Sequence, residues 1–565
     1  MRTVVVGGVA TGMSAAARLR RLDETAEIIV LEKGPYVSYA NCGLPYYVGG
    51  EIEDDAALLV QTPEKLRAAL NLDVRTGHEV VGVDAEVKTV MVRSGDGEDV
   101  LHYDNLILAP GAVALRPDLP GFDSEQVWHM RTVPDALEMR KRVLEGSVKQ
   151  AVVLGAGFIG LEAAEALAHQ GVKTTIVELA PHVLPPTEPE VAARVTSELN
   201  RLGIETVTGV AAASIEPSGD AVDVVLADGR RLPADLVVLS IGVRPATTVF
   251  EAAGLTTERG ALVVDRNGRT NLPGIWAGGD AVASPDPLTG ALRPVPLAGP
   301  ANRAGRLIAD DIARGAGTTE VQARQFAAPL GTAVVRVGEL TAAMTGANRR
   351  ALDASGIDYH TVYTHPNDHA AYFPGATQIH MVVHFSKEDG TILGAQAVGG
   401  NGVEKRIDVL ATAMRGGLKV DDLIDLDLSY SPPYGSAKDP VNMIGYYGQN
   451  VMDGVTKLWY ASEIPEALET SLVLDVRSVS EFASGHLEGA LNIPHTELRA
   501  RLDEVREAAG GRPVRVHCQS GVRSFLAERI LVQEGFDDVR NLSGGMLTIR
   551  DAIAGGVIPE VEIIK

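Results

Sequence analysis

The chain has 565 residues, of which 45% are hydrophobic and 4% aromatic, and its formal net charge is −23. A chain of this length exceeds a single core, so we expect three or four domains, and 60 glycines with Ala-rich stretches favour α/β architecture with tight turns. The negative charge argues against nucleic acid or an anionic membrane surface as the main partner.

The sequence also lacks the usual membrane and export signals. No apolar run reaches about 18 residues, and the chain begins directly with a strand-like segment, so we expect neither a membrane span nor a signal peptide. Cys42 and Cys518, the two cysteines, lie too far apart in sequence to suggest a disulfide framework. We predict a cytoplasmic protein in which each thiol is a candidate reagent; two inert buried thiols are the alternative.

The first half of the sequence contains one pattern twice: an apolar strand, a glycine turn and an Ala-rich helix. "TVVVGGVATGMSAAARLRRL" opens the chain, and "QAVVLGAGFIGLEAAEALAHQG" begins at Gln150. Each is followed by an apolar strand ending in an acid, which predicts a dinucleotide-binding unit with a pyrophosphate on the helix N-terminus. The first copy is imperfect, because Val9 replaces the middle glycine. The pattern assigns Gly7, Gly12 and Glu32 to one cofactor site and Gly155, Gly157, Gly160 and Glu178 to the other.

Two further segments end in small-residue turns. "LHYDNLILAPGA" (101–112) and "TNLPGIWAGGDA" (270–281) each predict a strand, and the second runs into Gly-Gly-Asp at a predicted helix start. A flavin needs its phosphates and ribityl hydroxyls held from several strand ends at once. Asp280 is placed for such contacts.

Glu178 indicates which nicotinamide cofactor the second unit prefers. An acid at this strand end accepts a hydrogen bond from the ribose 2′-OH and repels a 2′-phosphate. No arginine occurs in the residues that follow, "LAPHVLPP". We expect NADH to be preferred, with NADPH as a possible second donor.

Taken in order, these segments resemble the pyridine-nucleotide disulfide oxidoreductases. The resemblance implies FAD on the first unit, with Ala109 among its contacts, and NAD(P)H on the second. It implies an FAD-binding domain formed by 1–112 and 245–320, an NAD(P)H-binding domain over 113–244, and a dimerisation domain over 322–450.

After residue 450 the sequence again shows strands followed by loops and helices. "LVLDVRSVSEFASGHLEGALNIP" (472–494) and "VRVHCQSGVRSFLAERIL" (514–531) resemble a rhodanese domain, which we place at 458–565. The linker near 449–458 is short and has no Pro/Gly/Ser-rich tract, so the two modules are predicted to pack together. The predicted fold class is α/β: two Rossmann-like domains, an α+β dimerisation domain and a C-terminal α/β rhodanese domain.

Cys42, in "SYANCGLPYYVGG", is the candidate redox thiol of the first module. A thiol attacks disulfides and persulfides only as thiolate, and the start of a predicted helix should lower its pKa. Where a second redox cysteine would stand the chain has Tyr47, so it cannot cycle an internal disulfide. A lone thiol can form a mixed disulfide with a small thiol, or oxidise to sulfenic acid as in NADH peroxidases and oxidases.

Three features favour the mixed disulfide. The first glycine loop lacks the histidine of the resembling peroxidases and is similar to that of the coenzyme A-disulfide reductases, with Thr11 for a glycine and Tyr39 for Phe as small departures. Arg18, Arg20 and Arg21 form a cluster that could hold phosphates. The segments 369–376 and 427–450 resemble the dimerisation domain of that subfamily. A flavin-based sulfur carrier or redox sensor is the alternative from another class.

The resemblance also assigns roles to single residues. Cys42 is the nucleophile, and Tyr372 and Tyr430 come from the partner subunit of a homodimer to stabilise the leaving thiolate, with Tyr434 as a rival for Tyr430. No metal is expected. The residues implied to contact coenzyme A are Ser14, Arg18, Arg21, Ser38, Asn41, Asn302 and Lys438.

Cys518 begins a Cys-x4-Arg loop that ends at Arg523. The backbone N–H groups of such a loop can surround an anion. Phosphatases on similar scaffolds use a loop one residue longer, so this one favours a single sulfane sulfur, carried as a Cys518 persulfide beside Arg523; a regulatory binding module is the alternative. The expected function is therefore NAD(P)H-driven reduction of coenzyme A disulfide, coenzyme A persulfide or polysulfide at Cys42, with a sulfane donor feeding Cys518 and sulfide released.

Overall fold

The computed structural model describes residues 1–322, 324–559 and 563–564. Position 323 of the predicted dimerisation domain and positions 560–562 and 565 of the predicted rhodanese domain lie outside the described residues. The chain divides into two compact units: the first comprises Met1–Val177 and Val210–Gly331, and the second Glu178–Gly209 and Thr332–Lys565. The domain boundaries given above remain predictions.

The segment up to residue 178 contains both predicted strand–turn–helix patterns. Its elements in chain order are β1 (Arg2–Val6), α1 (Ala10–Leu22), β2 (Glu27–Glu32), α2 (Leu44–Val48), α3 (Pro63–Leu70), β3 (Asp73–Thr76), β4 (Glu79–Asp84), β5 (Thr89–Ser94), β6 (Gly97–His102), β7 (Asn105–Leu108), β8 (Ala112–Ala114), β9 (Val127–His129), α4 (Val133–Leu144), β10 (Gln150–Leu154), α5 (Phe158–His169) and β11 (Lys173–Glu178).

The next segment, to residue 331, adds short strands and a long helix. Its elements are α6 (Pro189–Arg201), β12 (Glu205–Thr208), β13 (Ala212–Ser218), β14 (Ala221–Leu226), β15 (Arg231–Ala234), β16 (Leu236–Leu239), β17 (Val243–Pro245), α7 (Thr248–Ala252), β18 (Thr257–Glu258), β19 (Ala261–Val263), β20 (Ile275–Ala277), β21 (Val282–Pro285), β22 (Leu292–Pro294) and α8 (Ala298–Gly315).

The remaining elements form the C-terminal part of the chain. They are β23 (Ala333–Val337), β24 (Leu340–Gly346), α9 (Arg349–Ser355), β25 (Tyr359–Thr364), β26 (His380–Ser386), β27 (Ile392–Gly399), α10 (Val403–Gly416), α11 (Pro440–Met452), β28 (Leu458–Trp459), α12 (Ile464–Thr470), β29 (Leu472–Asp475), α13 (Val479–Ala483), β30 (His486–Leu487), β31 (Leu491–Asn492), α14 (Leu502–Ala509), β32 (Val514–His517), α15 (Val522–Gln533), β33 (Val539–Leu542), α16 (Gly545–Ala554) and β34 (Ile563–Ile564).

Two parallel sheets organise the first unit. One has the strand order β20–β7–β1–β2–β3, and the other contains β11–β10–β16–β9. The β-branched residues of β1 and β10 are buried, as expected for parallel strands covered on both faces. Helices α1 and α8 pack on each other beside the first sheet. Because parallel strands end at one edge, the glycine turns after β1 and β10 lie where ligands bind such sheets.

The second unit contains two more sheets. An antiparallel sheet, β23–β24–β27–β26–β25, packs against α10 and α11 around a core that includes Val383, Phe385 and Ile407. A parallel sheet, β28–β33–β32–β29–β31, carries the Cys518 segment. The predicted fold class is therefore confirmed.

The predicted packing of the linker is confirmed within the second unit. Only residues 453–457 separate α11 from β28. Thr456 Oγ1 and Lys457 N both donate to the Glu528 carboxylate of α15, and Arg529 donates to the carbonyl of Val455. The linker is thus clamped to the helix that follows the Cys518 loop.

One predicted element is wrong. The sequence indicated a helix start at Asp280, but the structure has only a single 3-10 turn, Gly279–Ala281. The chain turns there into β21, which pairs with β19, and this leaves no room for a helix. No helix among the described residues is long and apolar enough to cross a membrane.

Candidate active sites

The first glycine turn brings three backbone segments into close contact. Gly7 has φ +95°, and a Cβ there would lie 2.0 Å from the Ala109 carbonyl oxygen, while a Cβ on Gly12 would lie 1.9 Å from the Gly7 carbonyl oxygen. Only glycine fits both positions. Gly8 N donates to Glu32 Oε2 at 2.8 Å. None of the described residues provides a side-chain cap for the N-terminus of α1, so its first amides face a ligand position.

A cavity of about 240 Å³ opens beside this turn. Its walls include Gly7, Glu32, His78 and Arg244. At the end of β20, Asp280 forms an ion pair with Arg131 at 3.2 Å. The glycine cradle, the acid at the end of β2 and the cavity together fit the pyrophosphate and ribose of FAD.

The second glycine turn repeats the geometry of the first. Gly155 has φ +101°, and its Cβ would lie 2.5 Å from the Ser240 carbonyl oxygen, while a Cβ on Gly160 would lie 1.9 Å from the Gly155 carbonyl oxygen. Gly157 is the N-cap of α5 and no side-chain cap comes from the described part of the chain. This turn fits a second dinucleotide. Glu178 ends β11, and its carboxylate accepts a hydrogen bond from Ala180 N at 2.7 Å.

Cys42 lies in a 3-10 turn, Asn41–Gly43, immediately before α2, and its side chain is exposed. Just upstream, Ser38 adopts φ +47°, which is uncommon for a residue with a Cβ and marks a constrained backbone. The turn thus presents the thiol, with Ser38 and Asn41 beside it in the same loop.

The prediction that a helix lowers the pKa of Cys42 is wrong. The surrounding protein crowds the sulfur although solvent reaches it, and this desolvation raises the pKa. The carboxylates of Glu162 and Asp280 raise it further, and Arg131 opposes them. Since α2 has only five residues, its dipole is too small to outweigh these groups.

The residues after Cys42 are held by neighbours that the sequence did not reveal. Tyr46 Oη donates to Glu162 Oε1 on α5 at 3.0 Å. The guanidinium of Arg140 lies 4.3 Å from the Tyr47 ring centroid and donates to the carbonyls of Tyr47 and Ile52 at 2.8 and 2.6 Å. Tyr47, at the position of a second redox cysteine, is therefore fixed in place.

Helices α1 and α8 bring together several predicted substrate residues. Ser14 Oγ donates to Asn302 Oδ1 at 2.6 Å. Arg18 Nε donates to Asp310 at 2.7 Å, and the exposed Arg21 donates to the carbonyl of Ala17. Arg20 does not belong to this group: it is buried and donates to backbone carbonyls, including those of Leu70 and Asn71.

The predicted tyrosine pair lies in the second unit. The hydroxyls of Tyr372 and Tyr430 are 3.2 Å apart, and this hydrogen bond is the largest cause of the raised pKa of Tyr372. Both side chains are exposed, as is that of Tyr434. The Lys438 ammonium lies 5.8 Å from the Tyr446 ring centroid. The structure thus joins Tyr372 to Tyr430 rather than to Tyr434.

The Cys518 loop connects β32 to α15. Cys518 is fully buried and Ser524 Oγ lies 3.3 Å from its sulfur. Arg523 donates through both terminal nitrogens to Glu481, each at 2.7 Å, and this pair lowers the pKa of Glu481 to about 2. Since Glu481 lies on α13, far from the loop in sequence, nothing in the Cys-x4-Arg pattern pointed to it.

The loop is held from behind by the first turn of α16. Met546 N donates to the Cys518 carbonyl at 2.8 Å and Leu547 N to the Gln519 carbonyl at 3.0 Å. A Cβ on Gly545 would lie 2.5 Å from the Cys518 carbonyl oxygen, so the close approach depends on a glycine. The loop is therefore supported along its length by the start of α16.

Two glycine cradles for dinucleotides, a lone thiol beside the first and a buried cysteine in an arginine-terminated loop define an oxidoreductase of sulfur compounds. Comparisons with known proteins agree. The profile of the pyridine nucleotide-disulphide oxidoreductases matches residues 1–298, that of their dimerisation domain matches 332–440, and that of rhodanese-like domains matches 459–552. The chain is 32% identical over 453 residues to a coenzyme A disulfide reductase of Staphylococcus haemolyticus, covering 80% of this chain and all of that protein.

Two solved structures are similar over nearly the whole chain. That of reduced CoADR-RHD from Bacillus anthracis has a TM-score of 0.94 and 40% identity, covering 100% of this chain and 99% of that one. That of a NAD-dependent persulfide reductase from A. fulgidus has a TM-score of 0.89 and 38% identity, covering 97% and 100%. The chain belongs to the pyridine nucleotide-disulphide oxidoreductase family, in the group of coenzyme A disulfide reductases that carry a rhodanese domain. Its cofactors are accordingly FAD and a nicotinamide nucleotide.

Proposed function

We propose that this protein uses NADH, and to a lesser degree NADPH, to reduce coenzyme A disulfide, coenzyme A persulfide or polysulfide at Cys42, and that Cys518 delivers sulfane sulfur to coenzyme A. The observation that carries the proposal is an exposed lone thiol followed by a tyrosine, fixed by Arg140, where a second sulfur would stand. The names of the similar proteins, a coenzyme A disulfide reductase and a persulfide reductase, support it.

The chemistry at Cys42 begins with a thiolate attack. The Cys42 thiolate attacks one sulfur of coenzyme A disulfide; a Cys42–S–S–CoA bond forms, and the other coenzyme A leaves as thiolate with the bonding electron pair. With coenzyme A persulfide the same bond forms and hydrosulfide leaves. Gly7, Glu32, Ala109 and Asp280 would hold FAD, which would supply two electrons taken from the nicotinamide. Two-electron reduction of the Cys42–S–S–CoA bond gives the Cys42 thiolate and a second coenzyme A thiolate.

Binding of coenzyme A would use two parts of the chain. Ser14, Arg18, Arg21 and Asn302 on α1 and α8 offer hydrogen bonds and positive charge to the nucleotide phosphates. Ser38 and Asn41 would contact the sulfur end of the ligand. Lys438 would contact coenzyme A. In a homodimer, the hydroxyls of the partner's Tyr372 and the partner's Tyr430 would donate to the departing thiolate.

Cys518 would act one step earlier in the sulfur path. Its thiolate attacks the outer sulfur of a donor persulfide, R–S–S⁻; the Cys518–S–S⁻ bond forms and R–S⁻ leaves. A coenzyme A thiolate then takes that outer sulfur and restores the Cys518 thiolate. Loop amides and Arg523 would stabilise the anions.

Mass spectrometry of the purified protein under non-reducing conditions tests the role of Cys42. We expect a coenzyme A adduct on Cys42 and rapid NADH oxidation with coenzyme A disulfide or persulfide. Faster NADH oxidation with peroxide or oxygen would instead support the sulfenic-acid alternative. Negligible turnover with every acceptor would support a sulfur carrier or redox sensor.

Two serine variants separate the two thiols. Cys42→Ser should keep FAD and its reduction by NADH but lose turnover with disulfide and persulfide. Cys518→Ser should lose transfer from a sulfane donor through catalytic coenzyme A, but keep reduction of coenzyme A persulfide supplied directly. Equal loss of both reactions in Cys518→Ser would contradict the sulfur path, and equal retention would make the rhodanese domain dispensable.

A further inference from the structure

Helix α11 of the dimerisation domain lies against the Cys518 loop. A small cavity separates them, and Tyr447 and Asn450 of α11 line it on one side. Ser520 and Gly521 of the loop, with Phe525 and Asn541, line the other side. The cavity beside the Cys518 loop thus has one wall formed by a helix that precedes the rhodanese segment.

Tyr447 is the ionisable side chain on the α11 wall. Burial, and to a smaller extent the charge of the Cys518 thiolate, raise its pKa to about 12. The phenol therefore stays protonated at physiological pH and has an O–H to direct at an anion. Tyr447 lines the same cavity as Ser520 and Gly521, which follow Cys518 closely in the loop.

One polar atom of the cavity wall, Asn541 Oδ1, has no hydrogen-bond partner among the described residues. Asn541 is 5% exposed, and its Nδ2 donates to the Gly521 carbonyl at 3.1 Å. Its Oδ1 is buried without a hydrogen-bond partner among the described residues. Buried amide oxygens are normally satisfied, so this one indicates that the cavity accommodates a polar group.

We propose that Tyr447 belongs to the sulfur-transfer site, and that its hydroxyl, supplied by α11, stabilises the anionic sulfur of Cys518 and of its persulfide. This inference deepens the function proposed above and rests on it. In the transfer written there, negative charge moves from the Cys518 thiolate to the outer sulfur of its persulfide. Tyr447 keeps its proton throughout and acts as a fixed dipole.

The other charged and polar groups around Cys518 are accounted for. Arg523 and Ser524 approach from α15, and Glu481 from α13 neutralises much of the Arg523 charge. Behind the loop, Asp475 and Arg477 form a fully buried pair near His517. Tyr363 of β25 also lines the cavity, but its hydroxyl donates to Glu190 Oε1 at 2.9 Å. Tyr447 likewise comes from outside the rhodanese segment, which makes it a testable link between that segment and the helix before it.

The first test measures the reactivity of Cys518 itself. In a Cys42→Ser background Cys518 is the remaining thiol, since the chain has two cysteines. Its alkylation by iodoacetamide is followed by mass spectrometry across a range of pH. We expect Tyr447→Phe to slow alkylation at neutral pH about three- to ten-fold and to move the pH profile upward, the size expected for losing one polar interaction with an anion. Tyr446→Phe, the neighbouring exposed tyrosine, is the matched control and should leave the profile in place.

The second test measures sulfur transfer in the chain with both cysteines. Tyr447→Phe should lower kcat for transfer from a sulfane donor several-fold while NADH-linked reduction of coenzyme A disulfide is unchanged. Tyr447→Met also removes the hydroxyl and fills its place with a flexible side chain, so it should have the same effect as Tyr447→Phe. Agreement of the two variants shows that the effect does not come from a packing defect in one of them. An unmoved alkylation profile in both variants would overturn the inference. A moved profile in a protein without any sulfur transfer would instead contradict the proposed function alone.

Discussion

Cys42 shows how the chemistry of one side chain depends on residues remote in sequence. The local stretch identified the thiol and the tyrosine that replaces a second cysteine. It contained no sign of Glu162 or Arg131, which come from other elements and reach the sulfur only in the folded chain. For this reason the position of the nucleophile was predictable, whereas the direction of its pKa shift was not.

Glu162→Gln should make Cys42 more acidic. The substitution removes a carboxylate that raises the Cys42 pKa and keeps an oxygen that Tyr46 can donate to. In a Cys518→Ser background, we expect the pH profile of Cys42 alkylation in the holoenzyme to move downward by about half a pH unit. Glu138→Gln on α4, which removes a surface carboxylate paired with Lys141 and Arg142, is the matched control. An unchanged profile would show that the field of Glu162 does not reach the thiol.

Glu178 should decide the choice between NADH and NADPH. Its carboxylate would both bind a ribose 2′-OH and repel a 2′-phosphate. Glu178→Gln keeps an acceptor for Ala180 N but removes the charge, and we expect the NADH/NADPH ratio of kcat/KM to fall about ten-fold. Glu178→Ala removes both the hydrogen-bond acceptor and the charge, and should lower the NADH/NADPH ratio of kcat/KM further. If neither variant changes the ratio, another part of the chain sets the preference.

At the scale of elements, glycine turns and apolar strands were the most predictable features. The strands that precede Gly7 and Gly155 form where the pattern indicated. The turns after them were recognisable because a positive φ and a close backbone contact leave glycine as the residue that fits. Asp280 was different, since whether a chain continues as a helix or enters a new strand depends on a pairing partner, β19, that local sequence does not reveal. The hydrogen bonds that hold the linker could not be predicted from the local sequence either, because their acceptor is Glu528 in a later helix.

The linker clamp should make stability depend on pH. Burial raises the pKa of Glu528 to about 7 from an ordinary value of 4.5, so the folded protein binds this proton more tightly than the unfolded chain. This contribution to the free energy of unfolding is fully present below pH 4.5 and is lost as the pH rises through about 7. The loss amounts to up to about 3 kcal/mol. Glu528→Gln should therefore raise Tm at about pH 8 and flatten its dependence between about pH 5 and 8.

Thermal unfolding followed by scanning calorimetry at several pH values measures this effect. Glu534→Gln, an exposed glutamate at the end of the same helix, controls for the loss of one negative charge. A pH dependence of Tm that is equally steep in Glu528→Gln and in the unchanged protein would place the titrating group elsewhere.

For the whole molecule, the order of domains followed from the sequence but the grouping of segments did not. Internal repetition indicated two dinucleotide-binding units, and resemblance to known families implied the flavin, nicotinamide, dimerisation and rhodanese segments in turn. The compact units cut across this order, because 178–209 groups with the C-terminal segments. There Glu188 and Glu190 form buried ion pairs with Arg349, at 2.6 and 2.5 Å. Pairings of this kind leave no periodic trace in a sequence.

A mixed dimer tests whether the active site is shared between subunits. Cys42→Ser and the double variant Tyr372→Phe, Tyr430→Phe should each be nearly inactive alone. A heterodimer of the two holds one intact site, and we expect it to recover up to about half of the normal rate. Activity is measured after native mass spectrometry shows that heterodimers have formed. No recovery in such a sample would place the tyrosines in the same subunit as their Cys42, or outside the reaction.

The seam between the dimerisation and rhodanese domains makes the C-terminal domain difficult to excise. His365 hydrogen-bonds both to His380 and to Thr548 of α16, and Arg194 of α6 pairs with Asp551 at 2.9 Å. Burial lowers the pKa of His365 to about 3, so its imidazole is neutral at physiological pH and can be buried in a contact without water. Removing residues 459–559 would expose that contact to water and leave its polar groups without partners. The rhodanese segment is thus a structural part of the second unit, and a shortened chain would need a new polar surface in its place.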